Sequence, residues 1–354
     1  MRPDTPVALG YRMPAEWEQH SATWLAWPHN TTTWPEQLAQ VQEIFIQMIA
    51  ALHGQETVHL LVNDAITAAQ VRQILAQRGC DSSRVHLHQV RTVDAWLRDS
   101  GPIFLTAPAG TVPPLAISDW DFNAWGRKYP ELMADTVLPQ HLAAWLQVPR
   151  FQPGIVLEGG SIDVNGRGSC LTTEQCLLHP NRNPHLTRLD LEHYLHDYLG
   201  VHHTLWLEQG IVGDDTDGHI DDIARFVNPT TVVCAVEDDP QDANYLLLHA
   251  NYWRLQAATD QDGRPLRVVP LPMPGVVGPP EARLPASYAN FYIANGVVLV
   301  PTYDHANDQV ALTTLQDLFP AHRIVGIPCT ALVWGLGAIH CVTQQQPATS
   351  RSSM

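Results

Sequence analysis

The chain has 354 residues, 45% of them hydrophobic and 16% charged, enough for a full core in one large domain or two small ones. Its 36 acidic and 20 basic side chains leave a net charge of −16, which disfavours nucleic acid and anionic membrane and favours a cationic partner. No apolar run approaches a membrane span, and the start MRPDTPVALGYRMPAEW lacks the apolar core of a signal peptide. The six cysteines, with no CxxC pair, read as free thiols of a cytoplasmic protein.

In chain order, one pattern recurs: a short β-branched strand, a helix of several turns, then a second strand. The first clear copy runs through Thr57–Val62, Asp64–Gln77 and Val85–Val90. A weaker copy is expected at Pro114–Ser118 with a helix over Thr136–Leu146, filling a gap about twice the usual spacing. Cys170 with the helix Leu189–Leu199 and His203–Leu207 makes another. Thr231–Val236, Asn244–Ala258 and Leu266–Leu271 follow, and Gly296–Pro301, Asp308–Leu318 and Arg323–Ile327 come last. Five such units of about 60 to 70 residues, without a polar terminal cap, favour a closed ring over an open solenoid. Residues 1–346 are expected to form a single catalytic domain, and 347–354 a disordered tail.

After the closing strand of each unit comes a loop of unusual chemistry. DAWLRDSGP holds Asp99, LEGGS holds Glu158, GDDTDGHIDD holds His219 and Asp221, PASYANFY holds Asn290, and GLGAIHC holds Cys341. Asp99 lies 59 residues before Glu158 and Glu158 lies 61 before His219, while the 122 from His219 to Cys341 span two units. If equivalent loops point to one end of a ring, these side chains meet on its axis, the usual place for catalytic groups on a rigid scaffold.

Each motif also has a plainer reading. GDDTDGHIDD sets five carboxylates, Asp215 among them, around one histidine. A solvated turn or calcium loop would look similar, but the EF-hand series is absent. If Gly218 leads into a strand, His219 and Asp221 share a face and can serve acid–base chemistry. Gly159 and Gly160 suggest a bulge or tight bend that holds Glu158 at the end of an apolar run. Asp99 could instead pair with Arg98. Trp96 and Trp125 could be core residues, although an indole face is also the best aromatic site for a cation. Most of the eighteen histidines stand alone, and no HExxH pair is present.

One cysteine, one histidine and at least three carboxylates remain, with no metal pattern. A thiol protease or amidase would need donors for a developing oxyanion, not carboxylates. A guanidinium, planar and cationic with five donors, does call for carboxylates, so a guanidino or amidino compound attacked by a thiolate is the deduced substrate. A non-catalytic guanidine- or polyamine-binding protein is the reading from another class.

The segments MPAEWEQHSATWLAWPHN, DAWLRDSGP, FNAWGRKY, LEGGSIDVNG, TTEQCLL, NRNP, GDDTDGHIDD and GAIHCVTQQQP, in this order over nearly the whole chain, resemble the agmatine deiminases. These are grouped with the bacterial type of peptidylarginine deiminase in the guanidino-modifying superfamily called penteins. The resemblance implies a five-bladed α/β propeller and hydrolysis of agmatine to N-carbamoylputrescine and ammonia, on the way to putrescine, with no metal and no organic cofactor. It implies Cys341 as nucleophile, His219 as general acid and base, Asp99 and Asp221 as guanidinium clamps, and Glu158 as the acid near His219 and the substrate. Trp96, Trp125 and Asp215 are expected to line the substrate site. Leu336 stands in a turn that is usually GGG, and Arg127 stands where FNAWGG is usual. An inward Arg127 would favour arginine or peptidyl-arginine over agmatine. The sequence leaves room for a homo-oligomer.

Overall fold

The computed structural model describes residues 4–80, 83–108, 110–111 and 113–349. Its strands are β1 (His20–Ala26), β2 (Thr57–Val62), β3 (Val85–Gln89), β4 (Ile103–Thr106), β5 (Leu115–Ser118), β6 (Arg150–Phe151), β7 (Asp163–Val164) and β8 (Ser169–Thr173), followed by β9 (His203–Leu207), β10 (Ala224–Asn228), β11 (Thr231–Val236), β12 (Arg267–Pro272), β13 (Tyr292–Ala294), β14 (Val297–Thr302), β15 (Arg323–Pro328) and β16 (Gln344–Pro347). They form five small mixed sheets among the described residues. In β4-β5-β6, β7-β8-β9, β10-β11-β12 and β13-β14-β15, an antiparallel first strand is followed by two parallel strands joined through a helix. The helices are Leu138–Leu146, Arg188–Leu199, Tyr245–Gln256 and Asn307–Leu318, close to the expected spans.

The first sheet differs, with order β16-β1-β2-β3. Its repeat unit is β1, the helix Leu38–Leu52 and β2. The expected first copy, Thr57 to Val90, supplies instead a second crossover through the helix Ala65–Gln77 to the added edge strand β3. The true unit hides because β1 is buried at six of seven positions, so it lacks alternation, and its helix buries eight of fifteen residues. The antiparallel place in this sheet is taken by β16 from the far end of the chain, with Trp24 opposite Gln344 and Thr23 opposite Gln345. That pairing closes the ring. Pro347 therefore belongs to a strand, and Ala348 donates its N–H to Gln19 O at 2.7 Å. Residues 350–354 of the expected tail lie outside the described residues.

The helices pack outside the sheets. The largest apolar cluster joins the first and last sheets, through Phe45, Ile49, Leu60, Tyr292, Val298 and Leu315, so ring closure buries apolar area as well as pairing strands. Local signals support each unit. Thr187 and Asp190 form a capping box, and Gly200 ends the same helix in the left-handed conformation that suits glycine. No helix among the described residues is long and apolar enough to cross a membrane.

Inside the ring, Glu16 binds elements far apart in sequence. Its carboxylate accepts Arg225 Nη2 at 2.9 Å, His340 Nε2 at 2.8 Å and the Ile293 N–H at 2.7 Å, with Arg98 Nη2 at 3.5 Å. Burial alone would raise its pKa, but Arg225, His340 and Arg98 outweigh burial and hold it well below the ordinary carboxylate range. A depressed native pKa adds stability that is present above the ordinary glutamate value of 4.5 and lost as pH falls below it. Glu16→Gln should lower unfolding free energy by about 3–5 kcal/mol, because it strands buried cations. In urea titrations the deficit should shrink as the pH is lowered through the carboxylate range.

Candidate active site

Each of the five unusual loops lies between the last strand of one sheet and the antiparallel first strand of the next. Asp99 sits in the short helix Leu97–Ser100 before β4, and Glu158 lies between β6 and β7. His219 and Asp221 precede β10, Asn290 precedes β13, and Cys341 precedes β16. Because the sheets ring one axis, these loops converge, and all six side chains are buried. The expected shared strand face of His219 and Asp221 is not formed. His219 caps a 3-10 turn over Ile220–Asp222, and Asp221 reaches the centre from that turn. Of the two expected forms, Gly159 and Gly160 make the tight bend, not the bulge: Glu158 is extended and a 3-10 turn over Gly159–Ser161 follows.

Gly160 marks the middle of the cluster. A Cβ there would lie 2.6 Å from His219 Nδ1, 2.9 Å from Asp99 Oδ1 and 3.0 Å from Asp221 Oδ2. Its N–H donates to Asp99 Oδ1 at 2.9 Å, and Trp125 Nε1 donates to Asp99 Oδ2 at 2.9 Å. Arg98 turns away from Asp99 and uses its guanidinium on Gln344, Gln345, His340 O and Glu16. The His219 ring lies between acids, with Nδ1 3.8 Å from Asp99 Oδ2 and Nε2 4.0 Å from Glu158 Oε2.

The carboxylates are anchored on one side and open on the other. Glu158 Oε1 accepts Arg182 Nε at 2.7 Å, and Asp221 Oδ2 is 2.7 Å from His340 Nδ1. Glu158 Oε2, Asp221 Oδ1 and His219 Nε2 are buried without a hydrogen-bond partner. Such orphaned atoms are rare in folded proteins and mark where a ligand supplies the missing donors. Arg182 is itself fixed by Asp217, Asn181 and Thr216 O, which keeps its charge outside the pocket.

Cys341 Sγ receives the Asn290 Nδ2 donor at 3.1 Å and lies 3.7 Å from Asp221 Oδ2. Burial, followed by Asp221, Asp222 and Asp99, pushes its pKa well above the ordinary thiol value, which favours the neutral thiol in the free site. Burial likewise raises Asp99, with Asp221 and Glu158 adding to it and His219 opposing. Burial works against the charge of His219, yet Asp99, Cys176 and Glu158 prevail and raise its pKa well above 6.5.

A pocket of about 220 Å³ is lined by Cys341 and Asp99, by Trp96, Trp125, Trp334 and Leu336, and by Asp94, Tyr129, Glu131 and Asp215. Burial raises the pKa of Asp215, whose carboxylate accepts the Tyr129 hydroxyl. No lysine, arginine or histidine is among its lining residues. Arg127 is exposed and outside the lining, so the inward cation considered from sequence is not there. It belongs to a left-handed run from Ala124 to Arg127 that directs the Trp125 indole to Asp99. Gly126 is required in that run because a Cβ would meet Asn181 Nδ2 at 2.1 Å. Leu336 also has positive φ, +67°, and lines the pocket. Its neighbours must be glycine: a Cβ on Gly335 would lie 2.6 Å from Trp34 Nε1, and one on Gly337 2.7 Å from the Trp96 ring.

Sequence reasoning thus named Cys341, His219, Glu158, Asp99 and Asp221, which meet, and Trp96, Trp125 and Asp215, which line the pocket. It gave no role to Asn290, His340, Glu16, Arg182 or Cys176. Several of these stand in the segments MPAEWEQH, NRNP and TTEQCLL, but their partners are hundreds or tens of residues away. As for metal-binding geometry, Glu158, Cys176 and His219 bring ligand atoms within 4.8 Å of one another, with Arg182 already on the glutamate.

Residues 12–347 match the Porphyromonas-type peptidyl-arginine deiminase family. The agmatine deiminase of Pseudomonas fluorescens is 38% identical, covering 98% of this chain and 98% of its own. The chain belongs to this family. Among solved structures of family relatives, the agmatine deiminase of Enterococcus faecalis matches with a TM-score of 0.88 at 34% identity, over 98% of each chain. A substrate-bound agmatine deiminase of C. jejuni matches with a TM-score of 0.86 at 30% identity, over 96% of this chain and 97% of its own. The five-sheet α/β architecture is therefore that of the agmatine deiminase structures.

Three carboxylates beside a neutral thiol make a site that admits cations. A cationic haloamidine should alkylate Cys341 at neutral pH at least about tenfold faster than a neutral haloacetamide of similar size, since one charge contact is worth more than about 1.4 kcal/mol here. Comparable rates in a mass-spectrometric time course would contradict the carboxylate cage.

Proposed function

We propose that the protein is an agmatine deiminase that hydrolyses the guanidino group through a covalent cysteine adduct. The observation that carries this reading is the unpartnered Asp221 Oδ1, on a buried carboxylate whose other oxygen lies 3.7 Å from Cys341 Sγ, with Asp99 across the space over Gly160. A guanidinium brings donors in a planar array that suits carboxylates.

In this mechanism Asp99 and Asp221 hold the guanidinium, whose charge lowers the Cys341 pKa so that the thiol proton leaves through the pocket. The thiolate attacks the central carbon, a C–S bond forms, and the C=N electrons move onto nitrogen. His219 donates a proton to one nitrogen, the C–N bond breaks, and ammonia departs to leave an amidino-cysteine. Water then enters. His219 takes one proton as oxygen adds to the carbon, then the C–S bond breaks as the C=O forms and the remaining O–H proton passes to solvent, releasing the ureido product and the thiolate. Glu158, fixed by Arg182, faces the imidazole and favours its cationic form in the first half.

Substrate choice follows from the outer pocket. Its lining offers Asp94, Glu131 and Asp215 and no cation, which suits the second ammonium of agmatine and disfavours the carboxylate of free arginine. Lys128 stands near but reaches Asp217 at 2.8 Å and Asp215 O. Agmatine should therefore be turned over at least about 100-fold more efficiently than arginine or a peptidyl-arginine, a difference of about 2.7 kcal/mol, when ureido product is assayed side by side. The reverse order would replace this reading with peptidyl-arginine deimination. Cys341→Ser should bind agmatine without releasing ammonia. Asp221→Asn should lose about 2–5 kcal/mol in kcat/KM.

A further inference from the structure

The mechanism above makes no use of Cys176, a fully buried thiol. Cys176 lies in the short helix Glu174–Leu177, whose N-cap Thr173 accepts the Cys176 N–H at 3.1 Å and donates its hydroxyl to Gly218 O at 2.6 Å. One hydroxyl thus ties the backbone of Cys176 to the residue just before His219. The other buried thiols differ: Cys170 and Cys234 point at adjacent backbone carbonyls. The Cys176 sulfur instead faces an imidazole and a carboxylate, all three ligand-type atoms lying within 4.8 Å of one another.

The two sides of the His219 ring are unlike. Nδ1 faces Asp99 and the space above Gly160 where the substrate carbon would sit. Nε2 faces Glu158 Oε2 at 4.0 Å, and neither atom has a hydrogen bond of ordinary geometry. A ring that must give and regain a proton at Nδ1 needs Nε2 to keep its own proton throughout, and that requires a polar neighbour behind it.

We propose that Cys176 is a positioning residue for His219. Its sulfur, with Glu158, holds the back of the imidazole and keeps Nε2 protonated, leaving Nδ1 to exchange the proton with the reacting nitrogen. This rests on the deiminase reading of the site. The charged groups around the ring are Asp99 from the first loop and Glu158, backed by Arg182, from the second. Asp214, Asp215, Asp221 and Asp222 come from the loop of His219 itself. The acids and the sulfur favour the imidazolium while burial opposes it, so removing the sulfur moves the ring towards earlier loss of its proton.

The test compares Cys176→Ala and Cys176→Ser with wild type in the full chain, with thermal unfolding as a check on folding. Cys176→Ala should lower kcat for agmatine by about 10- to 100-fold with KM within about twofold, and shift the alkaline limb of kcat to lower pH. Cys176→Ser, which keeps a polar atom, should recover most of both. The His219 ring titration, followed by NMR against a His219→Gln control, should fall in Cys176→Ala without any substrate present. That arm separates the two claims, because a wild type inert to agmatine would count against the proposed function while the ring titration still judges Cys176. An alanine variant with wild-type kcat, pH profile and ring titration would overturn the proposal. So would equal losses in both variants with an unmoved titration, which would mark packing alone.

Discussion

Three carboxylates are gathered around the His219 ring with no lysine or arginine lining the pocket beside them, and the rest of the structure serves that arrangement. Asp99 and Asp221 come from different loops and crowd the space over Gly160, and Glu158, from a third, faces the His219 ring at Nε2. Left alone, such a group would protonate or spread apart, since buried like charges repel strongly. Each acid is held in place by a protein partner. Arg182 holds one oxygen of Glu158, His340 one oxygen of Asp221, and the Trp125 indole and Gly160 N–H those of Asp99. The remaining oxygens of Glu158 and Asp221 are buried without donors, that of Glu158 facing His219 Nε2. Preorganised charge of this kind needs no rearrangement when a complementary ion arrives.

The same arrangement governs the nucleophile. A thiol beside carboxylates is a poor nucleophile by itself, because they penalise the thiolate. His219 stands across Gly160 from it, beside Asp99 and Glu158, and is held as a cation by those acids instead of forming an ion pair with sulfur. In the mechanism proposed above, the reactivity of Cys341 is thus conditional on a bound cation. Strained backbone maintains the geometry. Trp125 and Leu336 both adopt left-handed conformations that cost a side-chain-bearing residue about 1 kcal/mol or more each, and both line the pocket.

Much of the site was legible because the chain repeats a plan. Loops after closing strands carry the chemistry, so their spacing alone brought Asp99, Glu158, His219 and Cys341 together. What failed was local conformation. His219 and Asp221 seemed to alternate on a strand, but a 3-10 turn places them, and a two-residue spacing does not distinguish the two. The first unit was misplaced because β1 is buried on both faces and its antiparallel neighbour is contributed by Gln344–Pro347. Glu16, His340 and Arg182 were illegible as functional residues for a related reason. Glu16 and His340 act through partners that are near only after the ring closes, and Arg182 through Glu158 and Asp217 in other loops; no local pattern encodes Glu16 meeting His340 across 324 residues. Arg127, prominent as a departure from its relatives, proved irrelevant to the pocket because its left-handed backbone directs it to solvent.

The central claim is that the free site holds Cys341 as a thiol until a cation enters the carboxylate cage. The most direct measurement is a pH titration of thiolate ultraviolet absorbance in the substrate-free protein, taken as wild type minus Cys341→Ser. The account predicts no thiolate signal at neutral pH and onset only above the ordinary cysteine range. A full thiolate signal at neutral pH in the free protein would mean a preformed ion pair with His219, and would contradict it.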